Sequence, residues 1–251
     1  MIWSSHLDQN DDYKLKMEDF LIEGKSMCNN KYTVFGVFDG HGGSQISSYL
    51  SSNFVNKLQK KINQKNKINE DVLTEFIDQL VNQIKIIGGQ SCGSTLCVLI
   101  LKNSNFKGWV INVGDSRIAK FTKNNQDLIN SEFLSEAHNT RNADEVNMLL
   151  SRKGCISNNR IGGVINLTRS IGDFLQCSNG LVHTPEINKV RFKKNQRVII
   201  ASDGIWDFIR ESEVKELVFK EPIKDIVKTI TKKALANKSM DNISILAIEF
   251  Q

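Results

Sequence analysis

The stretch YTVFGVFDGHGG, Tyr32–Gly43, sets seven residues rich in β-branched and aromatic side chains directly against an Asp-Gly pair. Tyr32–Phe38 reads as a strand, because such side chains fit a pleated, half-buried surface and Asp-Gly is turn chemistry. An aspartate closing a buried strand costs β-propensity and desolvation unless something compensates it. One instance is explained by a turn. The pattern recurs, however: apolar strands run into NVGDSR at Asp115 and ASDGIWD at Asp203, and a last strand starts at Asp241 in MDNISIL. These aspartates predict carboxylates converging at one edge of the sheets. Converging carboxylates need a cation between them, and an oxygen-rich, cysteine-free set suits Mg²⁺ or Mn²⁺. Two such ions about 3.5–4 Å apart can clamp a phosphoryl group for in-line attack.

Outward from this stretch, strands are expected over Ser94–Lys102, Lys107–Phe121 (broken at Gly114), Arg197–Ser202 and Asn242–Phe250. Helices are expected over Gln45–Ile62 and Asp71–Ile87, the second with Leu73, Phe76, Ile77, Leu80 and Ile84 at i, i+3, i+4 spacing and Gly88–Gly89 as its stop. KKINQKNKIN between them reads as a polar connection. Further helices are expected over Ala143–Lys153, Glu211–Lys220 and Ile223–Asn237, and the strand before Lys14 as abbreviated. Strict β-α-β alternation is missing, which disfavours a Rossmann or TIM-barrel chain and favours mostly antiparallel sheets covered by helices.

The 251 residues suffice for one hydrophobic core, and the chain shows neither repeat nor boundary, so a single domain over 1–251 is expected. The net charge of +5 is mild, and pairs such as Lys60–Lys61 and Lys193–Lys194 read as solvated surface. No concentrated basic face is visible, so no nucleic-acid partner is expected. Cys28, Cys92, Cys97, Cys155 and Cys177 are odd in number, widely separated and free of any Cys-x-x-Cys pair. They argue against a disulfide framework or zinc ribbon and suit a reducing compartment, cytoplasmic or nuclear. The opening MIWSSHLDQNDD is not a signal peptide, and no membrane span or membrane partner is expected. A monomer is the expected state.

Eight segments in order, KMED, VFGVFDGHGG, SCGSTLCVLI, INVGDSRIAKF, LTRSIGD, TPEI, RVIIASDGIWD and MDNISIL, resemble the metal-dependent serine/threonine protein phosphatases of type 2C, from about Lys14 to Phe250. No single segment decides this; the ordered set does. The resemblance implies an α+β, four-layered α-β-β-α sandwich of two packed antiparallel sheets. It implies hydrolysis of phosphoserine and phosphothreonine in protein partners by a water bridging two Mg²⁺ or Mn²⁺ ions, without a phospho-enzyme. Asp39 would bridge both metals, the Gly40 carbonyl would bind one, and Glu18 would reach that one through water. Asp203 and Asp241 would hold the second, and Asp115 would help hold a weaker third. His41 would be the general acid, a role for which imidazole is suited near neutral pH. Asp19 and Asn242 would orient the ligands.

Plainer readings stand beside these. Asp39 could be a turn aspartate, Glu18 a surface acid and His41 a packed loop histidine. GDSR equally suits a structural turn with an Asp115–Arg117 contact, and Arg169 reads better as a structural salt bridge than as a site residue. The sequence also departs from the family: Lys14 stands where a phosphate-binding arginine is usual, with Asp12 nearby and no preceding glycine. Lys14 would bind the substrate phosphate as a point charge, with looser orientation than a guanidinium fork. His138–Asn159 corresponds to a variable flap, and its start, His138-Asn139-Thr140, departs from the usual His-Lys-Pro. Two rivals follow: a weak or inactive phosphatase-fold regulatory protein, and a hydrolase of small phosphoesters.

Overall fold

Strands that are apolar at almost every position must be covered on both faces, and the chain achieves this by stacking two sheets between helices. The computed structural model describes residues 1–251. In chain order it contains β1 (Ile2–Asp8), β2 (Phe20–Met27), β3 (Tyr32–Phe38), β4 (Gly40–His41), α1 (Gln45–Lys65), α2 (Glu70–Ile87), β5 (Gly93–Ser94), β6 (Leu96–Lys102) and β7 (Lys107–Val113). There follow β8 (Arg117–Lys123), β9 (Ile129–Phe133), α3 (Ala143–Ser151), β10 (Ile156–Ser157), β11 (Arg160–Ile161) and β12 (Ile171–Gly172). After a 3₁₀ turn over Phe174–Asn179 come β13 (Glu186–Arg191), β14 (Gln196–Ala201), α4 (Asp203–Trp206), α5 (Glu211–Leu217), α6 (Ile223–Ala236) and β15 (Ile243–Phe250).

Two five-stranded sheets run β1-β15-β14-β8-β9 and β13-β7-β6-β3-β2. Between them Phe35, Val37 and Leu99 of one sheet meet Ile118, Ile200, Leu246 and Ile248 of the other in one core. The alternate residues turn outward. Val34, Phe38, Val98 and Ile100 pack under α1 and α2, while Ile199, Ala201, Ile243 and Ile245 pack under α4, α5 and α6. The result is an α-β-β-α sandwich, α+β in class, with a small β12-β5-β4 sheet beside it.

Several expectations need correction. The segment before Lys14 is a full strand: β1 pairs with β15 from Ile2↔Glu249 to Asp8↔Ile243. β2, β9 and β13 were not visible in the sequence. Each is an edge strand or next to a turn, and β2 is interrupted by a register shift between Ile22 and Lys25. Gly24 supplies that irregularity with φ +68° against the Trp3 ring. The last strand begins at Ile243, so Asp241 sits in the turn before it. α1 continues through Lys65 rather than stopping at Ile62, because Lys61 and Lys65 both reach Glu75 of α2 at 2.8 Å. No helix is long and apolar enough to cross a membrane.

Candidate active site

Strand register brings the aspartates to one edge. Ala201, at the end of β14, lies opposite Arg117 at the start of β8 and Ile245 near the start of β15. Asp203, Asp115 and Asp241 therefore flank the same end of one sheet. In the other sheet Asp39 leaves β3 beside Thr95. The Thr95 amide donates to the Asp39 carbonyl at 2.8 Å, and the Asp39 amide donates to the Thr95 hydroxyl at 3.0 Å.

A cleft of about 340 Å³ opens at this edge. Its lining includes Glu18, Asp39, Gly40, Asp115, Asp203 and Asp241, with Lys14 and His41 beside them. Asp19 and Asn242 are buried and do not line it. Asn242 ties the Glu18 segment in place: its side-chain oxygen accepts from the Glu18 amide at 2.9 Å, and its nitrogen donates to the carbonyls of Gln9 at 2.8 Å and Lys16 at 3.1 Å. A Cβ on Gly40 would stand 2.4 Å from the Glu18 carbonyl and 2.5 Å from Ser47 Oγ. Only glycine lets these segments meet.

The electrostatics are those of crowded acids. Burial, then repulsion from Asp19, Asp203 and Asp241, pushes the Asp39 carboxyl well above its ordinary range. Burial, then Asp115 and Asp241, does the same to Asp203. Asp19 is pushed up to about 7, chiefly by burial, and neither of its carboxyl oxygens has a hydrogen-bonding partner. Asp115 is raised by burial against the lowering effect of the Asn139 amide, which donates to it at 3.1 Å. Such acids carry charge at neutral pH only if cations offset it.

The donors are carboxylates and one backbone carbonyl, a set that suits hard cations, and Asp19 supplies an unpartnered carboxylate behind them. The residues fit Mg²⁺ or Mn²⁺ in kind. No three His, Cys, Asp or Glu side chains stand close enough together to enclose an ion. The Lys14 ammonium is instead paired with the Asp241 carboxylate.

Contacts that residue patterns did not disclose complete the site. His41 Nε2 lies 2.6 Å from Asp173 Oδ2, and Ser170 Oγ donates to the same oxygen at 2.6 Å. Asp173 is buried and held at φ 51°, with its amide bonded to the Cys92 carbonyl. Arg117 forms no ion pair with Asp115; its guanidinium lies 4.0 Å over the Phe133 ring. Arg169 pairs with Glu145, which also accepts from Thr168 at 2.7 Å. Within His138–Asn159, His138 Nδ1 accepts from the Gly114 amide at 3.2 Å and steadies the turn that carries Asp115. The rest of that segment contributes α3, which packs with β11 through Leu149, Ile161, Ile165 and Leu167.

Residues 3–243 match the model of the family described as Protein phosphatase 2C. The chain belongs to this family. Curated phosphatase 2C relatives include Probable protein phosphatase 2C 52 of Oryza sativa subsp. japonica, 30% identical over 95% of this chain. Protein phosphatase 2C homolog 1 of Saccharomyces cerevisiae is 28% identical over 96% of it. The chain spans about half (48%) of the rice protein and 90% of the yeast one. Among solved structures, a serine-threonine phosphatase 2C from Toxoplasma gondii superposes with a TM-score of 0.77 at 19% identity, covering 99% of this chain and 94% of that one. A C. elegans sex determining protein gives 0.81 at 22%, covering 98% of this chain and 64% of that one. These two share the fold of this phosphatase 2C chain.

Proposed function

We propose that the chain is a metal-dependent phosphatase that hydrolyses phosphoserine and phosphothreonine in protein substrates without a phospho-enzyme intermediate. The observation that carries this is the single cleft into which the strand ends deliver Glu18, Asp39, Asp203 and Asp241 beside two cations, Lys14 and Arg160, and one imidazole, His41. Glu18, Asp39 and the Gly40 carbonyl would hold one Mg²⁺ or Mn²⁺ ion, and Asp203 and Asp241 a second, with Asp115 available to a weaker third. When bound, such ions supply Lewis acidity, lowering the pKa of water and offsetting phosphoryl charge.

The chain's own groups do the rest. Lys14 reaches into the cleft and offers the substrate phosphate an ammonium once it leaves Asp241. Asp173 holds His41 in one orientation, so the imidazole can deliver a proton to the departing serine or threonine oxygen. A covalent thiol route is disfavoured. Burial raises the thiols of Cys28, Cys92, Cys97 and Cys177 above their usual value, and a protonated thiol is a poor nucleophile. The five cysteines are free, which suits a reducing cytoplasmic or nuclear setting.

The test is phosphate release from a phosphothreonine peptide with Mn²⁺, with Mg²⁺ and with EDTA, for the wild type and Asp39→Asn. Turnover that needs the metal and disappears in the variant is expected. A folded protein that binds Mn²⁺ yet releases no phosphate would establish a regulatory phosphatase-fold protein instead.

A further inference from the structure

Strand pairing gathers basic residues that are far apart in sequence. Arg191 in β13 lies opposite Lys107 in β7, Lys107 lies opposite Lys102 in β6, and Lys102 lies opposite Tyr32 in β3. Residues directly opposite one another in antiparallel strands share a face, with Cβ atoms about 4.5–5.5 Å apart, and like charges so placed repel. Two residues along, the next row on that face reads Lys189, Trp109, Ile100 and Val34. Ile100 and Val34 belong to the core under α1 and α2. The basic row thus lies where the helical cover ends.

There a groove of about 360 Å³ is lined by Tyr32, Ile68 and Trp109 on its apolar side and by Lys102, Lys107 and Lys189 on its charged side. Lys189 Nζ sits 5.2 Å over the Trp109 ring. No Asp or Glu lines the groove. Some lysines elsewhere have carboxylate partners, Lys65, Lys120, Lys123 and Lys233 among them. Here Lys102, Lys107 and Lys189 line the groove beside Tyr32 and Trp109, Arg191 follows Lys107 in the cross-strand row, and none of the four has a carboxylate partner. Unneutralised like charges in one cross-strand row destabilise the fold, and the complement of such a groove is an acidic chain with an apolar side chain to set against Trp109 and Ile68.

We propose that this groove docks an acidic linear segment, carrying one apolar anchor, of a protein that the enzyme acts on. The substrate part of this statement rests on the phosphatase reading above; the docking part does not. Tyr32 and Asp39 stand at opposite ends of β3, about 23 Å apart at roughly 3.3 Å per residue. A docked segment would therefore be separated from the phosphorylated residue by about seven or more extended residues.

The experiment is fluorescence anisotropy of a fluorescein-labelled Glu-rich peptide bearing one leucine, with the full chain and with its Asp39→Asn variant, over a salt series. Saturable, salt-sensitive binding to both proteins is expected. Lys102→Glu/Lys107→Glu should weaken it about tenfold, as for a few surface ion pairs reversed in sign. Arg191→Glu, on an edge strand, is the second variant should the first not fold. Absence of binding, binding unaffected by either charge reversal, or equal affinity for a single-stranded oligonucleotide of matched charge would overturn the proposal. Binding to both proteins with no phosphate release by the wild type would keep the docking site and refute the enzyme.

Discussion

An ammonium at Lys14 presents one compact charge, whereas a guanidinium grips two phosphoryl oxygens at once. Lys14→Arg is therefore expected to lower the KM for a phosphothreonine peptide several-fold with little change in kcat. An unchanged KM would remove Lys14 from the phosphate site. Asp173 acts through His41, and its effect should follow the leaving group. A threonine oxygen needs a proton to depart, whereas p-nitrophenolate does not. Asp173→Asn is expected to cut kcat on the phosphothreonine peptide by about a hundredfold and to affect p-nitrophenyl phosphate far less. Equal losses on both substrates would make Asp173 a structural residue only. The aspartates that line the cleft, Asp39, Asp115, Asp203 and Asp241, were legible in the sequence because each borders an apolar strand, where a carboxylate is costly; Glu18 came from the family resemblance alone. Asp173 and Thr95 were not legible. Each acquires its role from a partner that only the fold supplies, 132 residues away for Asp173 and His41 and 56 residues away for Thr95 and Asp39.

Among the elements, α3 depends on a charge. Burial alone would raise the Glu145 carboxyl, but the bonds from Arg169 and Thr168 outweigh it and hold the group below its ordinary value of 4.5. A carboxyl depressed in the folded state contributes stability that is fully present above its unfolded pKa and is lost as pH falls through the folded one. Hydrogen-exchange protection of Ala143–Ser151 is therefore expected to hold at neutral pH and to fall once the pH drops below about 4.5. Glu145→Gln should remove much of that protection at neutral pH already; a pH-independent profile in the wild type would show that the ion pair does not hold the helix. Long elements with strong periodicity, such as α2, were legible because burial demands one apolar face. β13 was not, since EINKVR mixes charge with apolar residues on an edge that needs cover on fewer sides. The basic row was illegible for a related reason: lysines and arginine on three strands become neighbours only once register is set, and nothing local in the sequence sets it.

At the scale of the whole molecule, the sandwich closes around aromatic rings. Phe250 stacks on Phe192 at 4.6 Å and meets Phe106 edge-on at 5.2 Å, all in or against the core between the sheets. Phe250→Ala should cost about 3–5 kcal/mol, read as a lower urea midpoint with an unchanged slope. A loss under about 1 kcal/mol would mean that the sheets close over the gap. The layered architecture was legible from strands apolar on both faces; the pairing of β1 with β15 was not, because it joins segments more than two hundred residues apart. That pairing has a consequence in time. Glu18 is fixed by Asn242, 224 residues further on, so a chain emerging from the ribosome holds His41 and Asp39 long before the residues that complete their site. Until β15 leaves the exit tunnel, the growing polypeptide cannot assemble the cleft.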